Sequence, residues 1–191
     1  YKLTASIENI SDARTDKIQF QVYNGNSKFS SGTSQVSTRR ASYSCEVKAG
    51  GKYRVRCRAV NVYGGSESYS DWSDYSSEVA TVPASVTDVK CSADSETSVK
   101  LTWTPYATSE SYDVEYTTNE LYFDRASGVS SMSTTKQTAF VTGLETGQKW
   151  FFRVRANNSA GSSGWSEIVS TVIGTTPEAP TTWSLTSTVV V

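Results

Sequence analysis

Histidine is absent from all 191 residues. The commonest general base and the commonest metal ligand are therefore missing. Serine–histidine and cysteine–histidine nucleophile systems are excluded within this chain. Cysteine is scarce, with three residues, an odd number whose spacing matches no zinc-ligand pattern. Cys45 and Cys57 fall on inward positions of successive strands, and Cys91 on a later one. The first two leave open either a disulfide or a pair of buried thiols, which pack as small hydrophobes. No apolar run is long enough to cross a bilayer. No glycine-rich loop follows a strand and opens a helix, and calcium-loop spacing is missing. Neither charge sign dominates: 18 Lys and Arg against 19 Asp and Glu give a net charge of −1. Bulk electrostatics therefore point to neither a nucleic-acid track nor an anionic membrane face. The acidic residues are dispersed; Asp113 and Glu115, outward on one strand, read as a solvated face rather than a glycosidase pair. No basic segment followed by an apolar one stands at the start. The chain, opening on Tyr1, reads as an excised or processed fragment of something longer.

What the sequence does have is alternation. Trp150, Phe152, Val154 and Ala156 alternate with Phe151, Arg153, Arg155 and Asn157. A period of two fits a strand with one face in a core and the other toward solvent. An earlier stretch repeats the pattern: Tyr53, Val55, Cys57 and Ala59 alternate with Arg54, Arg56 and Arg58. Asn61 and Asn158, and likewise Gly64 and Gly161, stand 97 residues apart. The chain is an internal repeat with the period of one small domain. Val82-Pro83 reads as the junction, since proline cannot donate to a strand ladder. The expected units are residues 1–82 and 83–175, with 176–191 a proline-bearing linker and the first strand of a further domain.

Further alternating runs lie at 1–7 (Leu3, Ala5, Ile7), 17–23 (Ile18, Phe20, Val22), 41–47 (Tyr43, Cys45, Val47), 99–103 and 111–116. Residues 27–40 predict an edge strand with loops, and Leu121-Tyr122-Phe123 predicts a short edge strand. The segments 70–82 and 165–172 read as closing strands. No segment sustains helical periodicity, and several short strands with turn signals between them indicate an all-β sandwich.

Residues 83–175 resemble a fibronectin type III module. The resemblance rests on Pro83, Leu101-x-Trp103, Tyr112-x-Val114-x-Tyr116, Leu144-x-x-Gly147 and Arg153-Val154-Arg155-Ala156-x-Asn158. It implies seven strands in two sheets, with Trp103 and Leu144 as core markers. Trp150 departs from the pattern, standing where the family usually places a tyrosine whose hydroxyl bonds back to the preceding turn. Its indole N–H can donate such a bond but cannot accept one. Residues 1–82 resemble the same family less closely. Tyr53 holds the tyrosine position, Leu3 is matched with Leu101, and Ala5 then stands where Trp103 would be. With nothing before Tyr1 in this sequence to supply it, the first strand of this sandwich is expected to be missing. The fold expected is all-β: two consecutive immunoglobulin-like (fibronectin type III) sandwiches.

Both repeats carry a tryptophan–serine pair, Trp72-Ser73 and Trp165-Ser166. These resemble the tail of the Trp-Ser-x-Trp-Ser box of cytokine receptor modules, with the first tryptophan missing. A structural ladder is expected, in which Arg54, Arg56 and Arg58 stack on Trp72, and Arg153 and Arg155 on Trp165. Exposed Tyr63, Tyr69, Tyr75 and Trp183 fit a sugar platform or strand packing equally well.

The function expected is therefore a non-catalytic spacer, display and protein-interaction module. The expected setting is a larger bacterial surface, secreted or phage tail-like protein: extracellular, at the cell surface or on a virion. The alternative is a receptor-type ectodomain binding a protein ligand at the bend between modules. No enzyme activity, cofactor, metal, nucleic acid or membrane insertion is expected. The partners are neighbouring domains of the same polypeptide and a protein or carbohydrate surface ligand. Unpaired strand edges also invite pairing with another chain, so in this fragment the tail after Pro180 is a strand that would complete a neighbouring copy's first sandwich, a property of the fragment and not of the parent protein.

Overall fold

Runs such as 17–24, in which Ile18, Phe20 and Val22 alternate with Lys17, Gln19 and Gln21, present one apolar face only when extended. The computed structural model describes residues 1–125 and 127–174, and such strands dominate it. The first sandwich holds β1 (Lys2–Ile7), β2 (Lys17–Asn24), β3 (Ser27–Gln35), β4 (Ala41–Glu46), β5 (Lys52–Tyr63), β6 (Ser66–Tyr69) and β7 (Val79–Ala80). The second holds β8 (Thr87–Ser95), β9 (Ser98–Thr104), β10 (Ser111–Thr117), β11 (Ser130–Thr134), β12 (Thr138–Thr142), β13 (Lys149–Asn158), β14 (Gly161–Ser162) and β15 (Val169–Val172). The segment 176–191, with its expected linker and strand, lies outside the described residues.

The two sandwiches share one strand order. In the first, β3-β2-β5-β6 form the larger sheet, with β7 also on β5, and β1-β4 form the smaller. In the second, β11-β10-β13-β14 form the larger sheet, with β15 also on β13, and β12-β9-β8 form the smaller. Each strand of the first has its counterpart in the second, and β8 alone has none among the described residues. The outer edge of β1 is thus unpaired there, where the corresponding edge of β9 carries β8.

That difference appears in the packing. The second sandwich buries one continuous core that includes Val99, Leu101, Trp103, Val114, Leu144, Phe152 and Val154. The first divides into two smaller groups, Ile18–Phe20–Ala41 and Val22–Val47–Tyr53. Fully burying a side chain of this size contributes about 1.5–3 kcal/mol, so the second sandwich has the larger hydrophobic contribution.

Register corrects one expected match. Val47 N–H donates to Tyr1 C=O as Leu144 N–H donates to Thr97 C=O. Leu3 lies opposite Cys45, as Val99 lies opposite Val141. Leu3 therefore corresponds to Val99, Ala5 to Leu101, and Ile7 to Trp103. The expected match used an offset of 98 (101 minus 3), whereas the structure gives 97 at Val47 (144 minus 47) and 96 at Leu3 (99 minus 3), because one more residue separates Val141 from Leu144 than Cys45 from Val47. The extra residue is accommodated at Gly143, whose φ of +72° suits glycine.

Two further expectations change, and the alternative left open at the cysteines is decided. Residues 120–124 form a 3₁₀ turn, not a strand: Asn119 Oδ1 accepts from Leu121 N–H at 3.1 Å, and Phe123 is buried. The second edge strand is instead β11, paired with β10. Segments 70–78 and 163–168 are not strands, although β7 and β15 follow them. Cys45, Cys57 and Cys91 are free thiols, and burial pushes Cys45 and Cys91 above the ordinary thiol range.

Where the sandwiches meet, the connecting backbone is held from both sides. Gly50 N–H donates to Val82 C=O at 2.8 Å, and Thr81 N–H to Gly51 C=O at 3.0 Å. From the second sandwich, Asn158 Nδ2 donates to Thr81 C=O at 2.9 Å, and Tyr106 Oη to Ala49 C=O at 3.1 Å. Gly50 has a φ of +61°, and a Cβ there would run into the Tyr106 ring. Glycine is therefore required both by the backbone and by the close approach of Tyr106.

Candidate functional site

A repeating surface feature is built by β5 and the segment that follows β6. Because β5 alternates, Arg54, Arg56 and Arg58 all project to its outer face. Alongside runs Tyr69-Ser70-Asp71-Trp72-Ser73-Asp74-Tyr75-Ser76. Its serines recur every third residue, and each makes the same pair of bonds to every second residue of β5. Ser70, Ser73 and Ser76 donate their backbone N–H to the carbonyls of Ala59, Cys57 and Val55, at 3.1, 2.8 and 2.7 Å. Their hydroxyls accept the N–H groups of the same three residues, at 3.0, 3.0 and 2.9 Å. Each hydroxyl then donates to the next residue's carbonyl. Every hydroxyl here supplies an acceptor and uses its own proton, so the β5 edge is satisfied without a regular strand.

The residue before each serine is aromatic, and these rings interleave with the arginines. The Arg58 guanidinium carbon lies 4.0 Å from the Tyr69 ring centre and 4.6 Å from that of Trp72. Arg56 lies 4.8 Å from Trp72 and 5.3 Å from Tyr75, and Arg54 lies 4.2 Å from Tyr75. The order along the face is Tyr69, Arg58, Trp72, Arg56, Tyr75, Arg54. Each contact of this kind is worth about 0.5–1 kcal/mol at an exposed site.

The second sandwich carries a shorter version. Ser163 and Ser166 hydroxyls accept from Ala156 and Val154 N–H, both at 3.0 Å. Trp165 receives Arg155 at 4.6 Å and Arg153 at 4.4 Å, and Phe123 receives Arg153 from another side at 4.4 Å.

The two faces differ in how their arginines are neutralised. Arg153 pairs with Glu115 at 2.7 Å and Arg155 with Asp113 at 2.9 Å. Asp113 and Glu115, expected on a solvated face, are thus half-buried ion-pair partners. Burial pushes Asp113 up, but hydrogen bonds from Ser133, Arg155 and Asn157 outweigh it and hold the carboxyl below its ordinary range. On the first sandwich the same register positions are amides: Arg56 Nε donates to Gln21 at 3.0 Å and Arg58 Nε to Gln19 at 2.7 Å. Among the described residues, no carboxylate lies within salt-bridge distance of Arg54, Arg56 or Arg58.

Of the remaining named residues, Tyr53, Trp103 and Leu144 sit in the interior and Trp150 is half-buried against it. Tyr53 is buried, and its hydroxyl accepts from Lys48 N–H at 2.9 Å. Trp150 Nε1 donates to Glu145 C=O at 3.4 Å, the same five-residue reach backward in chain. Trp103 is 6% exposed and packs on Tyr112 at 5.2 Å, and Leu144 is buried. Among the described residues, no three His, Cys, Asp or Glu side chains gather to hold a metal ion. No helix there is long and apolar enough to cross a membrane.

Of the three arginines expected on Trp72, Arg56 and Arg58 lie there and Arg54 lies on Tyr75 instead; Tyr69 and Tyr75, named only as exposed aromatics, belong to the stack, and the serines that bond β5 were not anticipated. The missing signal was the triplet recurring at 69–71, 72–74 and 75–77, an aromatic followed by serine.

Residues 84–172 match the family model of the fibronectin type III domain. The second sandwich is a fibronectin type III domain. Such domains act as spacers and interaction modules in multidomain chains and are in general non-catalytic. No curated protein matches the chain. Among solved structures it is similar to the chicken CNTN1 FN1-FN3 domains, at 15% identity and a TM-score of 0.42, covering 92% of this chain and 63% of that one. The chain thus spans less than two thirds of that structure. It is also similar to the FN5 domain of Drosophila Lar, at 23% identity and a TM-score of 0.40, covering 47% of this chain and 95% of that one.

Proposed function

We propose that the chain is a non-catalytic spacer and display unit of a larger multidomain protein. The setting proposed is a bacterial surface, secreted or phage tail-like protein, placed outside the cell or on a virion. Its units are residues 1–82 and 83–175, followed at 176–191 by the linker and first strand of a further domain. The observation that carries this reading is the clamp at the junction. Thr81 is bonded from both sandwiches, Val82 from the first, and Tyr106 closes on Gly50. Neighbouring domains move relative to one another by default unless something holds their junction, and these bonds on the connecting backbone are what a spacer would use to limit that motion.

In this reading the arginine–aromatic faces are structural. They cover and stiffen the β5 and β13 sides, and Tyr53, Trp150, Trp103 and Leu144 hold the interiors. The partners are the neighbouring domains, together with a protein or carbohydrate ligand reached through exposed surface. The test is replacement of residues 1–175 in the parent protein by an unrelated rigid pair of sandwiches of equal length. A spacer keeps the parent's activity after the exchange. Loss of that activity, with the replaced protein folded and assembled, contradicts the proposal.

A second reading, a receptor-type ectodomain binding a protein at the bend between modules, is favoured by the tryptophan–serine ladders on both sandwiches. It requires surface substitutions around Tyr106 and Asn158 to abolish capture of a protein ligand while both sandwiches stay folded.

A further inference from the structure

The positive charge on the β5 face has no partner among the described residues. Arg56 and Arg58 hold the register positions of Arg153 and Arg155, and Gln21 and Gln19 stand where Glu115 and Asp113 neutralise the latter pair. Lys28 adds a further cation to the same face, since it lies opposite Tyr23, which lies opposite Arg54. Among the described residues, no carboxylate is within salt-bridge distance of Lys28, Arg54, Arg56 or Arg58. The nearby acids are engaged or turned away. Glu67 pairs with Lys17 at 2.9 Å. Asp71 and Asp74 border cavities on the inner side of the sheet, beside Ile18 and Phe20 respectively.

The guanidiniums are also held with donors to spare. Arg58 uses Nε alone, on Gln19, while Arg56 uses Nε on Gln21 and Nη2 on Tyr23 Oη at 2.9 Å. Arg54 uses Nη2, on Asn26 Oδ1 at 3.0 Å. A guanidinium carries five N–H donors, so most of these have no acceptor among the described residues. Stacking between rings takes the flat faces of the guanidiniums and leaves their N–H edges, the geometry that carboxylates bind in bidentate fashion. Trp72 and Tyr75 each lie between two guanidiniums, so neither offers a free face on which a sugar could lie.

Spacing then selects the ligand. Alternate residues of β5 repeat at about 6.8 Å, and so do alternate side chains of any extended peptide. The second sandwich shows what such a row accepts: Asp113 and Glu115, two residues apart on a strand, lie 2.9 and 2.7 Å from Arg155 and Arg153. We propose that the Arg54–Arg56–Arg58 face of the first sandwich binds an extended acidic segment of a partner protein, with Asp or Glu at alternate residues, laid along β5 over Gln19 and Gln21. This deepens the display part of the proposed function and rests on it for the existence of a protein ligand. The ladder then both stiffens the sheet and presents its charge.

The test titrates the intact chain with a decapeptide of alternating Thr and Glu and follows the Nε–H NMR signals of Arg54, Arg56 and Arg58. These signals are expected to shift, with an affinity that falls as salt is raised. A peptide of equal charge with Glu at every third residue, whose acids alternate between the two faces of a strand, is expected to bind several-fold more weakly. Gln19→Asp with Gln21→Glu gives the first sandwich the neutralising pair of the second and leaves every stack in place. It is expected to weaken binding of the alternating peptide by about tenfold or more. Ser92→Glu with Thr142→Glu, at exposed positions of the second sandwich, adds the same charge elsewhere and is expected to leave binding unchanged. No shift at the three arginines, equal binding of the two peptides, or equal weakening by the two double variants overturns the proposal. So does tighter binding of a heparin oligosaccharide of equal charge, which would make the face a site for sulfated polysaccharide. All of these are read on the isolated chain, apart from the loss of parent activity that tests the spacer.

Discussion

The guanidinium carbon of Arg58 lies 4.0 Å from the centre of the Tyr69 ring. Its other face meets Trp72 at 4.6 Å, and Trp72 is shared in turn with Arg56. Removing the indole takes away two stacks at once. Trp72→Ala is expected to destabilise the first sandwich by about 1–2 kcal/mol, at about 0.5–1 for each contact. Trp72→Phe, which keeps an aromatic face, is expected to recover more than half of the loss. Thermal unfolding followed by circular dichroism reads both values.

The Ser73 hydroxyl tests the ladder rather than the stack. It accepts the Cys57 N–H at 3.0 Å and donates to Asp74 C=O at 2.8 Å. Ser73→Ala removes an acceptor from a strand donor, at an expected cost of about 1–3 kcal/mol. Amide hydrogen exchange at Cys57 is expected to accelerate well beyond that of Phe20 in the same sheet.

The turn-anchoring aromatics differ in depth. Tyr53 is 1% exposed with a 2.9 Å bond from Lys48 N–H, whereas Trp150 is half-buried and donates across 3.4 Å. Tyr53→Phe leaves a partly buried N–H without its acceptor and is expected to cost about 1–2 kcal/mol. Trp150→Phe is expected to cost less in hydrogen bonding, the difference being read by chemical denaturation of each variant.

Asp113 supplies a pH dependence with a defined sign. Its carboxyl is held below the ordinary range because bonds from Ser133, Arg155 and Asn157 outweigh the opposing effect of burial. A group with a depressed folded-state pKa contributes stability above its unfolded-state pKa and loses it as pH falls through the folded-state value. The stability gap between the native chain and Asp113→Asn is therefore expected to be widest near neutrality. It is expected to shrink below about pH 4, where the unfolded-state carboxyl also protonates. Urea titrations at a series of pH values measure it.

How much of this was legible in the sequence depends on the period involved. The alternation of Ile18, Phe20 and Val22, and of Phe152, Val154 and Ala156, identifies inward faces correctly because a strand's period is two. The arginines of β5 and β13 were legible for the same reason. The ladder was not, because serines at every third residue match neither strand nor helix. Leu121-Tyr122-Phe123 misled through its β propensity, which Asn119 capping and the burial of Phe123 override. The match of Ala5 to Trp103 was two residues out, and one of the two steps is the additional residue at Gly143, which no side-chain pattern reveals. The roles of Gln19 and Gln21 against Asp113 and Glu115 depended on cross-strand register, which alternation alone leaves open.

The account rests most heavily on the junction, where Tyr106 closes on Gly50 and Asn158 holds Thr81. The most direct test is ¹⁵N relaxation of the chain at low concentration, with rotational diffusion fitted separately for the two sandwiches. The account predicts one common, anisotropic tensor for both, lost on Tyr106→Ala with Asn158→Ala. Two independent tensors in the parent of that comparison, each with the tumbling time of a single sandwich, would contradict it.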